Sequence, residues 1–112
     1  MLKVIRGDTS KFKFSRKDSE GNTIMQQANA IYFTIKNDCF TKQVLIQKTL
    51  DDMTFENGVY TFTIDGTDTD NLNYGFYRYD LEVVEEEYKQ TISIGDFVIE
   101  EEVTFTSNES GE

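Results

Sequence analysis

The side chains best suited to chemistry in this sequence are carboxylates that occur in three groups. The first group lies in a polar stretch and consists of the carboxylates of Asp65, Asp68 and Asp70, together with the side-chain amide of Asn71. Such a cluster of oxygen-bearing side chains in a loop is what a Ca²⁺ site requires. The other two groups are the glutamate runs at residues 85–87 and 100–102. A pair of such acids facing each other across a cleft could hydrolyse a glycosidic bond.

Both chemical interpretations have a structural alternative, which we favour. The spacing of the aspartates does not fit the calcium loop of a helix–loop–helix site, because Leu72 would take a ligand position and Asn73 the position of the required glycine. Asp68 or Thr67 would instead cap one short helical turn. The glutamate runs are typical of solvated strand faces and hairpin tips, where charge prevents edge-to-edge pairing. We therefore predict no metal site and no catalytic residues.

Histidine and cysteine narrow the range of chemistry further. The sequence has no histidine, which removes the commonest general base and most transition-metal ligands. Cys39 is the single cysteine, so an intrachain disulfide and a zinc site built from thiolates are excluded. The sequence therefore predicts a protein that is not an enzyme and that holds no cofactor.

The elements that would position these side chains are β-strands. Apolar and polar residues alternate in segments such as KFKFSRK at residues 11–17, AIYFTIK at 30–36 and YRYDLEVV at 77–84. Period-two alternation indicates strands with one buried and one solvated face. About eight short strands, with no helical segment long enough for a crossover, predict an all-β, antiparallel, two-sheet sandwich. We expect one domain over residues 1–105 and a flexible acidic tail over 106–112.

Residues 65–84 organise the predicted sandwich. The segment NYGFY at residues 73–77 has the form of a tyrosine corner, in which the tyrosine hydroxyl bonds to the upstream backbone and holds the crossing between the two sheets. Tyr79 stands where antibody-type domains have their second cysteine, and we expect a packed aromatic ring in place of the disulfide. The predicted structural corner consists of Leu72, Gly75, Tyr77 and Tyr79.

Four aromatic side chains fall on strand faces or loop ends that the pattern marks as less buried. They are Tyr32, Tyr74, Phe76 and Tyr88. An exposed aromatic platform can stack on sugar rings, and aromatic side chains are equally common anchors in protein–protein interfaces. The same rings could simply cover the ends of the sandwich. The pattern leaves all three roles open.

The net charge of −10 is unevenly distributed along the chain. Residues 1–17 hold six basic side chains and one acidic, whereas the remaining residues hold five basic and twenty acidic. Nucleic acid is disfavoured as a partner, because its phosphates need a basic surface. The basic N-terminal segment could contact another copy head to tail, or it could lie beside acidic strands of its own sheet. The sequence has neither a membrane-spanning apolar run nor a signal-peptide pattern, so we expect synthesis in the cytoplasm and no membrane insertion.

Several segments, taken in order, resemble one family of phage proteins. They are RGDT at residues 6–9, FKF at 12–14, Asp18 followed by EGN at 20–22, AIYFTIK at 30–36, NGVYTFTI at 57–64, DTDNLNYGFYRYDLEV at 68–83 and TISIGDFVIEEEVT at 91–104. Their order and spacing resemble the immunoglobulin-like N-terminal domain of siphophage upper baseplate proteins and the related tail-accessory proteins of phages and prophages. The resemblance covers nearly the whole chain.

The resemblance implies an immunoglobulin-like β-sandwich of about seven to nine strands. It also implies a structural module that docks on other tail or baseplate subunits, often as a homo-oligomer, and that has no chemistry of its own. After synthesis in the bacterial cytoplasm, such a module would reside in the virion tail or baseplate. The residues themselves suggest an alternative, a carbohydrate-binding module that recognises cell-surface polysaccharide through Tyr32, Tyr74 or Tyr88.

Overall fold

The computed structural model of the chain describes residues 1–38, 42–86 and 89–101. The strands in chain order are β1 (Leu2–Ile5), β2 (Ser10–Ser15), β3 (Ala30–Lys36), β4 (Ile46–Thr49), β5 (Thr54–Glu56), β6 (Val59–Ile64), β7 (Gly75–Val84) and β8 (Lys89–Glu100). A 3₁₀ turn (Leu50–Asp52) follows β4, and a single helical turn, α1 (Gly66–Thr69), follows β6. The predicted all-β class is confirmed.

The strands form two sheets. One has the order β1-β8-β7-β3-β4 and the other has the order β2-β6-β5. All neighbouring strands are antiparallel except β1 and β8, which run parallel. The prediction of an antiparallel arrangement is therefore wrong at this pair. Since β1 and β8 are the first and last of these strands, no tight hairpin joins them, and the intervening chain supplies the long connection that a parallel pair needs.

The core lies between the inner faces of the two sheets. Phe33 of β3 meets Phe62 of β6 with ring centroids 4.8 Å apart, and Tyr60 of β6 stacks on Phe14 of β2 at 4.9 Å. The fully buried apolar side chains come from both sheets and include Ile31, Phe33, Ile35, Tyr60, Ile64, Phe97 and Ile99. They occupy alternate positions within each strand, so the period-two pattern in the sequence marks the face that is inside.

Residues 42–50 predict a strand with Val44 and Ile46 facing the core and Leu45 on the opposite face, but the strand is shorter in the structure. β4 begins at Ile46. Val44, expected in the core, is 44% exposed, whereas Leu45 packs against the core. The residues before Ile46 precede the strand pairing with β3, so no pleat imposes alternation on them. Expecting Val44 in the core was therefore wrong.

A hairpin joins β5 to β6. The alternation pattern does not predict β5, because this strand has only three residues. Asn57 and Gly58 form the two-residue turn with φ of 52° and 82°. Both values lie in the left-handed region that a type I′ turn requires, and Asn-Gly is a preferred sequence for that turn. A side chain at Gly58 would also place its Cβ 2.6 Å from Cγ2 of Thr23.

The pair Gly95-Asp96 predicts a break or a bulge in the last strand, but β8 runs through both residues. The irregularity lies further back, where the pairing with β7 jumps from Leu81↔Ser93 to Glu82↔Thr91 and leaves Ile92 without a partner position. Gly95 has a different role, because a Cβ there would lie 3.2 Å from the ring of Tyr79. The glycine makes room for an aromatic ring and does not end the strand.

Candidate functional site

The aspartate group belongs to the turn that begins α1. Asp65 is the N-cap residue, and its backbone N–H donates to the carboxylate of Asp68 at 2.8 Å. Asp68 also pairs with Lys48 at 2.9 Å. The cap expected at Asp68 or Thr67 therefore lies at Asp65, because the helical turn starts earlier than the pattern indicates. The described residues contain no group of three or more acidic, cysteine or histidine side chains that could hold a metal ion.

The glutamate runs lie at opposite ends of the β7–β8 hairpin. Glu85 follows β7 and accepts a hydrogen bond from Arg16 at 2.5 Å. Glu100 ends β8 and lies 3.8 Å from Lys3. Residues 87 and 102 lie outside the described part of the chain. The described glutamates of the two runs therefore do not face each other. Glu85 and Glu100 each pair with a cationic side chain of the N-terminal segment.

Arg16 ties three parts of the chain together at the end of β2. Its Nη1 contacts Glu85, and its Nη2 donates to the backbone oxygen of Gln26 at 2.9 Å. Burial would lower the pKa of the guanidinium, but hydrogen bonds to Glu85 and Tyr60 outweigh burial and raise the pKa above its ordinary value. Arg16 therefore stays charged and acts as a structural cross-link. Together with the pair between Lys3 and Glu100, this places basic N-terminal side chains beside acids of their own chain.

The predicted corner residues meet at the start of β7. The hydroxyl of Tyr77 donates to the backbone oxygen of Asn73 at 2.6 Å, and its ring is buried. Leu72 packs against the core, and its N–H donates to the backbone oxygen of Thr69 at 2.9 Å. Gly75 has a φ of 138° at the bend. This arrangement holds the start of β7 to the turn that follows α1.

Tyr79, the fourth corner residue, lies further along the inner face of β7. Its ring centroid is 5.6 Å from that of Phe33, and its hydroxyl lies 3.0 Å from Oγ of Ser93. The ring is only partly buried, and it packs against the core from one side. Phe33 and Tyr79 lie on neighbouring strands of the same sheet, so this aromatic contact does not join the two sheets as an inter-sheet disulfide would.

Replacing Tyr77 by phenylalanine tests the corner. The change removes one hydrogen bond to a backbone oxygen and leaves the ring in place, so we expect the free energy of unfolding to fall by about 1 kcal/mol. Urea unfolding followed by circular dichroism measures the loss. Tyr74→Phe on the exposed neighbour is the matched control and should change stability by less. An unchanged unfolding curve for Tyr77→Phe would mean that the hydroxyl does not hold the bend.

The four candidate contact aromatics do not form one platform. Phe76 is 73% exposed and Tyr74 is 44% exposed, and they are neighbours at the start of β7. Tyr32 is half-buried and pairs with Glu82, six residues along β7 from Phe76, which corresponds to about 20 Å. Tyr88 lies outside the described residues. Phe76 and Tyr74 thus belong to one surface and Tyr32 to another.

The surface at Phe76 is larger than the sequence indicates. Exposed apolar side chains of β1 and β8 extend it, so that the exposed members are Ile5, Tyr74, Phe76 and Ile94. Val98 of β8 lies on the same face but is only 9% exposed and forms the floor beside Phe76. We call these five side chains the Phe76 surface. Seven large apolar side chains are exposed among the described residues, and four of them belong to this surface. A signal for it exists in the sequence, because the unbroken apolar run at residues 97–99 indicates a strand that is covered on both faces.

Two ion pairs border the Phe76 surface. Arg78 contacts Asp96 at 2.5 Å on one side of Phe76, and Lys3 lies 3.8 Å from Glu100 on the other. The guanidinium of Arg6 lies 4.6 Å from the centre of the Tyr74 ring. The charges around the apolar side chains are therefore largely matched by local partners.

The surface at Tyr32 has a different character. Two shallow depressions, of about 240 and 350 Å³, meet at this ring on the outer face of the five-stranded sheet. Their polar lining consists of Asn29, Thr34, Lys36, Gln47, Thr49, Asp51, Asp80 and Glu82. An aromatic ring among carboxylates and amides is a suitable environment for a hydroxyl-rich ligand.

Comparison of the sequence with protein-family models and curated proteins finds no match. In the part of the chain that the structure describes, no helix has both the length and the apolar character needed to cross a membrane. The two-sheet fold and the surfaces at Phe76 and Tyr32 are therefore the features that bear on function.

Proposed function

We propose that the protein is a non-enzymatic assembly module with an immunoglobulin-like fold, which associates with other protein subunits through the Phe76 surface. The strand order supports the fold assignment. With β2 to β8 taken as strands B, C, C′, D, E, F and G, one sheet contains B, E and D and the other contains G, F, C and C′, as in variable-type domains. The bond from Tyr77 to the upstream backbone matches the tyrosine corner of that fold.

The observation that carries the assembly role is the exposure of Phe76 among other apolar side chains. Phe76 is 73% exposed on a regular strand, and the neighbouring Tyr74 and Ile5 are exposed as well. Burying such a ring contributes about 1.5–3 kcal/mol. Clusters of exposed apolar side chains with a polar rim mark interaction surfaces, and buried aromatic anchors supply much of the energy of protein–protein interfaces.

The biological setting that we propose is the tail or baseplate of a phage or prophage. Support comes from the resemblance carried by segments such as NGVYTFTI at residues 57–64 and TISIGDFVIEEEVT at 91–104. The described parts of these segments form the hairpin turn before β6, β6 itself and most of β8, and both strands lie inside their sheets. In that setting the partners are other tail subunits, further copies of this chain, or both.

Phe76→Ser tests the proposed function. We expect purified protein to self-associate or to bind a tail protein encoded beside it, and the substitution should weaken that association at least tenfold because it removes the aromatic anchor. Sedimentation velocity and pull-down with the neighbouring gene products measure the effect.

Met25→Ser is the matched control for Phe76→Ser. Met25 is another exposed apolar side chain, 59% exposed, and it lies outside the Phe76 surface. Its substitution should leave the association unchanged. A chain that is monomeric and binds no tail subunit from its own operon would contradict the proposal.

The depressions at Tyr32 favour a second candidate function, recognition of a cell-surface polysaccharide. Tyr32→Ala should abolish binding on a glycan array, because stacking of a sugar ring requires the aromatic face. Phe76→Ser serves as the control and should bind glycans as the wild type does. Silence of the wild-type protein on all glycans would exclude this function.

A further inference from the structure

We propose that the occupant of the Phe76 surface is a second copy of this chain, related to the first by a twofold axis that runs along β8. This inference rests on the proposed function, since it assigns the partner of the same surface. Residues of β7, β8 and β1 are aligned across the outer face of the five-stranded sheet so that the two sides of β8 complement each other.

The central row of the surface is complementary to itself. Phe76 of β7 pairs with Val98 of β8, and Val98 pairs with Lys3 of β1. An aromatic ring and a long cationic side chain thus stand on either side of Val98. A twofold axis along β8 places Phe76 of each copy over Lys3 of the other. Val98 lies on the axis but is only 9% exposed, so Phe76 and Lys3 make the contact. The aliphatic stem of Lys3 covers the ring, and its ammonium group is attracted to the ring face.

The neighbouring row fits the same symmetry. Ile5 of β1 aligns with Glu100 of β8, and Tyr74 precedes β7 at the level of Glu100. The axis along β8 therefore brings Tyr74 of one copy near Ile5 of the other, so that exposed apolar side chains cover each other. An isologous contact requires this kind of matching between the two halves of one surface.

The size of the contact sets its strength. With this axis β8 lies over β8 of the second copy along about ten residues, whereas each four-residue β1 covers only four residues of β7, so the overlap is about 290 Å² per copy. Two copies therefore bury about 600 Å², which is less than the roughly 1,000 Å² of a stable specific interface. The structure thus assigns a weak, transient dimer, with a dissociation constant of about 100 μM or higher.

Charge favours this face over a head-to-tail contact. The chain has a net charge of −10, yet the charges beside Phe76 form two local ion pairs, Lys3 with Glu100 and Arg78 with Asp96. The axis along β8 also brings Asp96 and Glu100 of one copy near the same residues of the other, and the local pairs with Arg78 and Lys3 offset this repulsion. Added salt screens the repulsion between the acidic molecules and leaves the apolar contact intact, so it should strengthen the dimer. A head-to-tail contact between basic and acidic segments would weaken with salt.

Cysteine cross-linking tests both the dimer and its axis. Phe76→Cys and Lys3→Cys are made separately in a Cys39→Ser background whose unfolding curve matches that of the wild type. Both positions are solvent-exposed, so each variant should fold. Each mixed pair keeps one intact contact between Phe76 and Lys3, so a short bismaleimide should give a cross-linked dimer from the mixture. Phe76→Cys alone, and Lys3→Cys alone, which keeps the Phe76 ring, should each give at least tenfold less. Lys11→Cys, on the outer face of the other sheet, replaces Lys3→Cys in the control mixture and should not cross-link.

The outcomes separate this inference from the proposed function. Cross-linking of the mixture, with a dimer that strengthens from 50 to 500 mM salt in sedimentation, supports the inference. Cross-linking of Phe76→Cys alone, or weakening with salt, overturns the arrangement. A monomer that binds a neighbouring tail protein in a Phe76-dependent manner overturns the dimer and leaves the proposed function standing. A monomer without any partner overturns both.

Discussion

Tyr60→Ala is expected to lower the free energy of unfolding by about 4 kcal/mol or more. The ring is fully buried and lies between Phe14, at 4.9 Å, and Phe55, at 4.5 Å. Truncation leaves a cavity lined by both aromatic side chains, and an aromatic-to-alanine change in a core typically costs about 3–5 kcal/mol. It also removes the acceptor of the buried N–H of Ala28, which donates to the Tyr60 hydroxyl at 3.0 Å.

Urea unfolding followed by far-ultraviolet circular dichroism measures this loss. Tyr60→Phe is the matched variant, since it keeps the ring and removes only the hydroxyl, and it should cost about 1–2 kcal/mol. The difference between the two variants reports the packing of the ring on Phe14 and Phe55. If Tyr60→Ala lost less than about 2 kcal/mol, the contact between β6 and its neighbours would not be the centre of the core.

Gly66→Ala is expected to destabilise the protein by about 3 kcal/mol, at the upper end of the range for overpacking. A Cβ at Gly66 would collide with the backbone oxygen of Gly7 and would lie 2.8 Å from its carbonyl carbon. Backbone atoms cannot move aside as a flexible side chain can. The substitution must therefore push α1 away from the segment that joins β1 to β2.

The same displacement breaks a hydrogen bond between the two segments. Thr69 is fully buried, and its hydroxyl oxygen accepts from the N–H of Gly7 at 3.0 Å. Gly21→Ala is the control for Gly66→Ala, because φ at Gly21 is 86° and no atom lies within 4 Å of the added Cβ. It should cost only the strain of a left-handed residue, about 1 kcal/mol. Equal losses for the two variants would show that the contact between Gly66 and Gly7 is not close.

Both substitutions concern contacts that no local pattern predicts. Alternation correctly places Tyr60 on an inner face, because a strand with one solvated side must alternate. It does not say that Phe14 and Phe55, from two different strands, enclose the ring. The packing of Gly66 on Gly7 joins residues far apart in the chain, so neither glycine signals it on its own.

The candidate surface was predictable only in part. The sequence identifies Phe76 and Tyr74 as exposed aromatic side chains, because Phe76 falls on an outward position of a strongly alternating strand and Tyr74 precedes that strand. Tyr32 shares the exposed face but lies about 20 Å away, since the register of β3 against β7 decides which outward residues become neighbours. The contributions of Ile5 and Val98 depend on the parallel pairing of β1 with β8, which local turn signals cannot indicate.

The sequence by itself determined the all-β class, the inner faces of the main strands and the bend before β7. These features are local, because the pleat, the left-handed turns and the alternation of side chains act between residues close in the chain. The tertiary structure alone decided that the aspartates serve the turn at α1, that Arg16 joins Glu85, and that Phe76, Val98 and Lys3 form one row. Those contacts depend on which strands become neighbours and in which register, and that choice is made by burial summed over the whole core.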